Sequence, residues 1–240
     1  MKIVNKIKEK QNDLYSRKPI TIAFLGDSVT QGCFECFEPI PGTIDTVFEM
    51  ENSYCEIVKR MLNKLYPMVS FTIVNAGISG GRVWTGLNRI DRDVLSFNPD
   101  LVVVCFGLND GEDGLKGIDN YKCHLNNIFK KINSSGAECI FMTPNTMNFI
   151  VSPKLESDFF KDLATDFMRR MNDGVMDEYV KASIEVANDN NVEVCDCYKI
   201  WKQMEKSGVN TTELLANKLN HPIKEMHYLF AYELVKSMFK

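Results

Sequence analysis

Four short polar segments of the chain carry residues that could together cleave an ester. They read G-D-S at 26–28, N-A-G-I-S-G at 75–80, G-L-N-D at 107–110 and N-H-P at 220–222. Ester cleavage by a serine requires the hydroxyl, an imidazole that takes its proton, and N–H donors aimed at the oxyanion of the tetrahedral intermediate. Each of these groups is present in the four segments.

The residue types indicate a role for each group. Ser28 is the candidate nucleophile and His221 the candidate general base. The backbone N–H groups of Ser28 and Gly80 and the side-chain amide of Asn109 are the candidate oxyanion donors. Gly80 suits its role because an N–H without a neighbouring Cβ can approach the reacting atom closely.

The same residues also have ordinary structural interpretations. Ser28 is a suitable cap for a following helix, Asn109 is a common turn residue, and His221 precedes a proline where a helix can start. Asp27 and Asp110 are supporting residues. We expect Asp27 to accept hydrogen bonds from neighbouring backbone N–H groups and Asp110 to brace its loop.

The elements that position these segments begin with five mostly uninterrupted apolar runs, which are typical of strands buried on both faces of a parallel sheet. The runs are Ile20–Leu25, Phe71–Asn75, Asp100–Phe106, Glu138–Thr143 and Val192–Cys197. The first three polar segments lie at the ends of such strands. The carboxyl edge of an open α/β sheet is where ligands bind, so these segments are expected to meet there.

Helical periodicity fills the intervals between the strands. The predicted helices are Ser53–Leu65, Gly86–Ser96, Gly117–Ile132, Asp173–Asn188, Lys199–Lys206 and Pro222–Phe239. Alternating strands and helices predict an α/β fold, a three-layer α/β/α sandwich with a parallel sheet. Five strands favour the flavodoxin-like order 2-1-3-4-5. Without repeats or linkers, residues 1–240 are expected to form one domain, with an N-terminal surface helix within residues 1–19.

Two connections are longer than the usual length of about 4–6 residues. Residues 33–51 contain prolines and acidic residues. Residues 145–173 contain Phe149, Phe159 and Phe160 and a helical-looking run to Met171. Both leave the carboxyl ends of strands, so we expect two long loops near the site that shape the substrate pocket.

Taken in order, the four polar segments closely resemble those of the SGNH (GDSL-type) hydrolase superfamily, over about residues 20–239. The resemblance implies hydrolysis of esters or thioesters through an acyl-serine, without a metal or organic cofactor. By position it implies Ser28 as nucleophile, Gly80 and Asn109 as oxyanion donors, and His221 as general base.

One position departs from the family pattern. The family usually has aspartate three residues before the histidine, where this chain has Lys218. A triad carboxylate accepts a hydrogen bond from Nδ1 and so fixes the imidazole tautomer. We therefore predict a Ser28–His221 dyad whose acceptor is a backbone carbonyl near Lys218, the amide of Asn217 or Asn220, or a carboxylate from elsewhere.

The bulk properties restrict the function class. A net charge of −4 and a pI near 5.5 give no electrostatic reason to expect a nucleic acid as partner. No apolar run has the ~18 residues of a membrane span. The lack of a signal peptide and the eight cysteines, several within apolar segments, predict a cytoplasmic protein with reduced thiols. No histidine, cysteine and acidic residues have zinc-site spacing.

These observations predict a serine hydrolase of small carboxylic esters, most simply an acetylesterase that acts on a carbohydrate. Phe149, Phe159 and Phe160 favour a lipase-like or thioesterase activity on longer acyl chains if they line the site. A third alternative is a binding protein on the same fold, for which Lys218 is the main argument. The oligomeric state stays open.

Overall fold

The computed structural model describes all 240 residues. Its strands are β1 (Ile20–Gly26), β2 (Cys33–Phe37), β3 (Asp45–Phe48), β4 (Phe71–Gly77), β5 (Leu101–Cys105), β6 (Glu138–Met142) and β7 (Glu193–Cys195). Its helices are α1 (Lys2–Asn12), α2 (Ser28–Gln31), α3 (Tyr54–Leu65), α4 (Val83–Asp93), α5 (Ile118–Ser135), α6 (Asp158–Asn172), α7 (Val175–Asp189), α8 (Cys197–Lys206) and α9 (Lys224–Met238).

The central sheet has five parallel strands in the order β4-β1-β5-β6-β7, which confirms the predicted flavodoxin-like order. Because side chains alternate along a strand, β1 contributes to two cores. Ile22 and Phe24 pack with residues of α3 and α9, whereas Ala23 and Leu25 pack with residues of α4, α5 and α7. Burial on both faces explains why these strands are continuously apolar.

The segment 33–51 is not the plain loop that the sequence predicts. It folds into the antiparallel hairpin β2–β3, in which Cys33 pairs with Phe48 and Cys36 with Thr46, with a bulge between the two cysteines. The turn of the hairpin holds Pro39, Pro41 and Gly42, which gave the segment its loop-like composition. This correction matters because β2 contributes to the candidate site.

In the segment 145–173, the helical-looking run to Met171 forms α6, which occupies the second half of the segment. Other boundaries shift by a few residues. The fifth central strand ends at Cys195 rather than Cys197, because the Asp196 side chain accepts a hydrogen bond from Lys199 N and so caps α8. Helix α4 begins three residues earlier than Gly86, and α9 begins at Lys224 rather than Pro222.

The N-terminal helix α1 is amphipathic, and its apolar face is buried rather than merely resting on the surface. Ile3 and Ile7 are fully enclosed in the larger core cluster. The N–H of Lys2 donates a hydrogen bond to the carboxylate of Glu138, at the start of β6. None of the helices has the length and apolar character needed to cross a membrane.

Candidate active site

Ser28 lies at the carboxyl end of β1, where it is the first residue of the short helix α2. The backbone turns sharply here, and only glycine fits at position 26. A Cβ on Gly26 would lie 2.0 Å from Thr30 Oγ1 and 2.8 Å from the Cys105 carbonyl oxygen. Asp27 caps the helix by accepting a hydrogen bond from Val29 N at 3.0 Å. The turn therefore fixes the direction in which Ser28 leaves the sheet.

His221 lies beside Ser28, although the two residues are 193 positions apart in the chain. Its Nε2 is 2.9 Å from Ser28 Oγ, and its Nδ1 is 3.0 Å from the carbonyl oxygen of Phe34 on β2. A carbonyl can only accept, so Nδ1 carries the proton and donates it. Nε2 is then the unprotonated nitrogen, and the Ser28 hydroxyl donates to it.

The Phe34 carbonyl is the acceptor that the sequence left open. From the sequence, a backbone carbonyl was one possible acceptor for Nδ1–H, but it was expected near Lys218 rather than on β2. The side-chain amides of Asn217 and Asn220, which were also candidates, do not accept from the imidazole. Lys218 points elsewhere: its ammonium group donates to the Glu213 carbonyl at 3.0 Å and pairs with the Glu213 carboxylate.

Burial sets the protonation state of the histidine. Removal from water lowers the pKa of His221 to about 4, partly opposed by the hydrogen bond to Phe34, whereas an ordinary histidine titrates near 6.5. The imidazole is therefore neutral at pH 7 and able to accept a proton.

The candidate oxyanion donors lie around the same space. Ser28, Gly80 and Asn109 all line one cavity of about 290 Å³ that also contains His221. Asn109 Nδ2 donates one hydrogen to the Gly81 carbonyl at 2.9 Å, which leaves its second N–H for a ligand. The backbone at Gly80 has φ +72°, which favours glycine, and a Cβ there would meet no protein atom within 4 Å.

The two acidic neighbours of the site have structural contacts. Asp27 Oδ1 accepts from Val29 N and Asp110 Oδ1 accepts from Val83 N, each at 3.0 Å. Their second oxygens are buried without a partner. Burial raises the pKa of Asp27 to about 7 and that of Asp110 to about 6. The carboxyl groups therefore titrate close to neutral pH while holding the loops that carry Ser28 and Asn109.

The remaining walls of the cavity come mainly from the two long segments that the sequence predicts to shape the pocket. The hairpin within 33–51 contributes polar side chains together with Ile44, and α6 within 145–173 contributes apolar ones. The lining residues beyond those already named are Cys36, Ile44, Asp45, Thr46, Ser79, Leu163, Phe167, Leu219 and Asn220. Phe149, Phe159 and Phe160 do not line the cavity, so the condition under which they would favour long acyl chains is not met. The helical spacing within 145–173 was the available signal for Leu163 and Phe167.

No group of three or more histidine, cysteine and acidic side chains is arranged to hold a metal ion. The cavity presents a hydroxyl, a neutral imidazole and N–H donors.

Comparison with known proteins shows the family to which the chain belongs. Residues 24–229 match the model of the GDSL-like lipase/acylhydrolase family. An acetylxylan esterase from Geobacillus stearothermophilus is 24% identical over 195 residues, which cover 78% of this chain and 80% of that protein.

Solved structures have the same fold. The acetyl xylan esterase AlAXEase superposes with a TM-score of 0.67 at 20% identity, over 91% of this chain and 99% of that one. A two-domain esterase active on acetylated mannans superposes with a TM-score of 0.69 at 20% identity, over 98% of this chain. This chain spans about half of that esterase, 52% of its length. The chain is an ester hydrolase and belongs to the GDSL-like lipase/acylhydrolase family.

Proposed function

We propose that the chain acts as one domain that removes acetyl groups from a carbohydrate through an acetyl-Ser28 intermediate. The observation that carries this proposal is the hydrogen-bond chain from the Phe34 carbonyl through His221 to Ser28. Ser28 lines a small cavity. It supplies a nucleophile and a base in the tautomer that ester cleavage requires.

In the proposed mechanism, Ser28 Oγ attacks the ester carbonyl carbon while His221 Nε2 takes the hydroxyl proton. The Phe34 carbonyl stabilises the imidazolium through Nδ1–H. His221 then gives the proton to the leaving alcohol oxygen as the C–O bond breaks. A water molecule attacks acetyl-Ser28 with His221 again as base, and acetate leaves as the proton returns to Ser28.

The oxyanion would be bound by the N–H groups of Ser28 and Gly80 and by the free amide hydrogen of Asn109. The Gly80 N–H makes no hydrogen bond within the protein. A donor that is already fixed and unpaired stabilises developing charge without reorganisation, and one such donor contributes about 3–4 kcal/mol to the transition state.

The size and polarity of the cavity support a short acyl group on a polar alcohol. Its volume of about 290 Å³ is at the lower limit of small-molecule sites, which begin near ~300 Å³. Asp45, Thr46 and Asn220 offer hydrogen bonds to hydroxyl groups. The esterases named above act on acetylated polysaccharides, which agrees with this chemistry. Leu163, Phe167 and Leu219 form an apolar wall, and this wall favours the second candidate, a longer acyl chain.

Substrate profiling separates the two candidates. We would measure kcat/KM for p-nitrophenyl acetate, butyrate and octanoate, and acetate release from acetylated xylo-oligosaccharides. A steady fall with chain length together with acetate release supports the proposal, and a rise toward octanoate supports a long-chain acylhydrolase. If no ester is cleaved and Ser28 does not react with a fluorophosphonate, the binding-protein alternative holds.

Two phenylalanines of α6 provide a matched pair for the same assay. Phe167→Ala removes a side chain from the cavity wall, so we expect a higher ratio of butyrate to acetate hydrolysis. Phe159→Ala changes a residue of the same helix that does not line the cavity, and it should leave the ratio unchanged.

A further inference from the structure

The main chain that carries His221 is held by a single side-chain oxygen. Asn217 Oδ1 accepts hydrogen bonds from three consecutive backbone N–H groups, those of Leu219, Asn220 and His221, at 3.0, 3.0 and 2.9 Å. The Asn217 side chain is buried. Three donors on one buried oxygen leave the loop little freedom to rotate the histidine away from Ser28.

The other end of the same amide connects the loop to the hairpin. Asn217 Nδ2 donates to Asn220 Oδ1 at 2.9 Å and to Cys36 Sγ at 3.4 Å. Cys36 lies on β2, two residues after the carbonyl of Phe34 that accepts from His221 Nδ1. Asn217 therefore joins the two pieces of backbone between which the imidazole is held.

The loop needs such a restraint because its backbone is strained. Lys218 adopts φ +58°, in the left-handed region, which costs a non-glycine residue about 1–2 kcal/mol. The ends of the loop are closed by the bridge between Leu215 and Pro222 and by the bond from Ala216 N to the His221 carbonyl at 2.7 Å. Strain of this kind persists only where surrounding contacts over-determine the conformation.

We propose that Asn217 is a positioning residue for ester hydrolysis, which fixes the His221 main chain so that Nε2 faces Ser28 and Nδ1 faces the Phe34 carbonyl. This inference rests on the proposed Ser28–His221 dyad. In this chain the restraint on the histidine comes from a side chain that binds its backbone, whereas a triad carboxylate binds the imidazole directly.

Two substitutions separate the parts of this role. Asn217→Ala removes all five hydrogen bonds. Asn217→Asp keeps the oxygen that accepts from the three N–H groups, loses both donated bonds, and adds a negative charge near His221. The titratable groups around the imidazole are Cys36, whose Sγ is 3.8 Å from Nδ1, the buried His227, Asp45 on the cavity wall and Asp27 beside Ser28. All four are present in both wild type and variant, so the new carboxylate is the electrostatic difference between the two proteins.

The test measures kcat, KM and the pH profile of kcat/KM for p-nitrophenyl acetate. A misplaced base lowers turnover by about 10²-fold, so Asn217→Ala should lose kcat on this scale while KM stays within about threefold. Asn217→Asp should recover at least tenfold of that loss at pH 8. Its acid limb should move to higher pH, because a nearby carboxylate favours the imidazolium. A residue that only stabilises the fold would leave kcat of the folded protein unchanged, so the loss of kcat in folded Asn217→Ala and its recovery in Asn217→Asp are the discriminating readouts.

Controls keep failure of this inference distinct from failure of the proposed function. Asn190→Ala also removes an asparagine that makes two side-chain bonds, far from the cavity, and should keep wild-type kcat. If Ser28→Ala and His221→Ala keep their activity, the dyad itself is wrong. If both are inactive while Asn217→Ala has kcat within threefold of wild type, the positioning role is wrong. If Asn217→Ala does not fold, Asn217→Ser, whose shorter side chain cannot reach all three N–H groups, takes its place, and kcat within threefold of wild type in that folded variant would overturn the positioning role.

Discussion

Acidification should leave the enzyme active well below the pH at which an ordinary histidine becomes protonated. Burial lowers the pKa of His221 to about 4 from 6.5, a change that corresponds to about 3 kcal/mol against the imidazolium. At pH 5.5 about 97% of His221 is then neutral, whereas only about 9% would be neutral in a solvated histidine. Since kcat/KM reports the free enzyme, its value at pH 5.5 should lie close to the plateau.

The assay is kcat/KM for p-nitrophenyl acetate from pH 3.5 to 8, with far-UV circular dichroism at each pH. The spectra are needed because the unfolded chain binds the His221 proton at a higher pH than the folded chain does. Titration of His221 therefore leaves the free energy of unfolding unchanged above pH 6.5. It lowers that free energy by about 3 kcal/mol as the pH drops toward 4. An acid limb centred near pH 6.5 in folded protein would refute the buried, neutral imidazole.

Three further substitutions test other contacts. Asn109→Ala should lower kcat by about 10²–10³-fold with little change in KM, because it removes a proposed oxyanion donor; a change confined to KM would contradict this role. Lys218→Asp should keep kcat within about threefold, because Nδ1 is already paired with the Phe34 carbonyl; a large gain would show that the carbonyl is a poor acceptor. Asp27→Asn keeps the acceptor for Val29 N but cannot ionise. Because the pKa of Asp27 is raised in the folded state, the free energy of unfolding of the wild type falls as the pH rises from about 4 to 7. Measured by urea unfolding, the free energy of unfolding of the variant should therefore increase by about 4 kcal/mol relative to wild type over that range. A difference independent of pH would contradict the effect of burial.

The sheet was predictable because strands buried on both faces must be continuously apolar, as Leu101–Cys105 is. The polar residues that end such strands, Ser28 and Asn109, were likewise visible as breaks in that pattern. The hairpin β2–β3 was not, because its short strands have partly exposed faces and its turn residues dominate the composition.

The group that orients His221 could not be found from the sequence for a different reason. Every residue has a carbonyl, so the acceptor at Phe34 leaves no mark in the side-chain pattern. The contacts of Asn217 also leave no mark in the sequence, since they involve three backbone N–H groups and depend on the left-handed turn at Lys218. A missing carboxylate at position 218 therefore indicated only that some other acceptor was needed.

The most direct test of the proposed mechanism is to map the site of fluorophosphonate labelling by peptide mass spectrometry while following ester hydrolysis. We predict one adduct, on Ser28, with activity lost in proportion to labelling and no adduct in Ser28→Ala. A protein that is fully labelled at Ser28 and still hydrolyses p-nitrophenyl acetate at the wild-type rate would contradict the acyl-Ser28 mechanism.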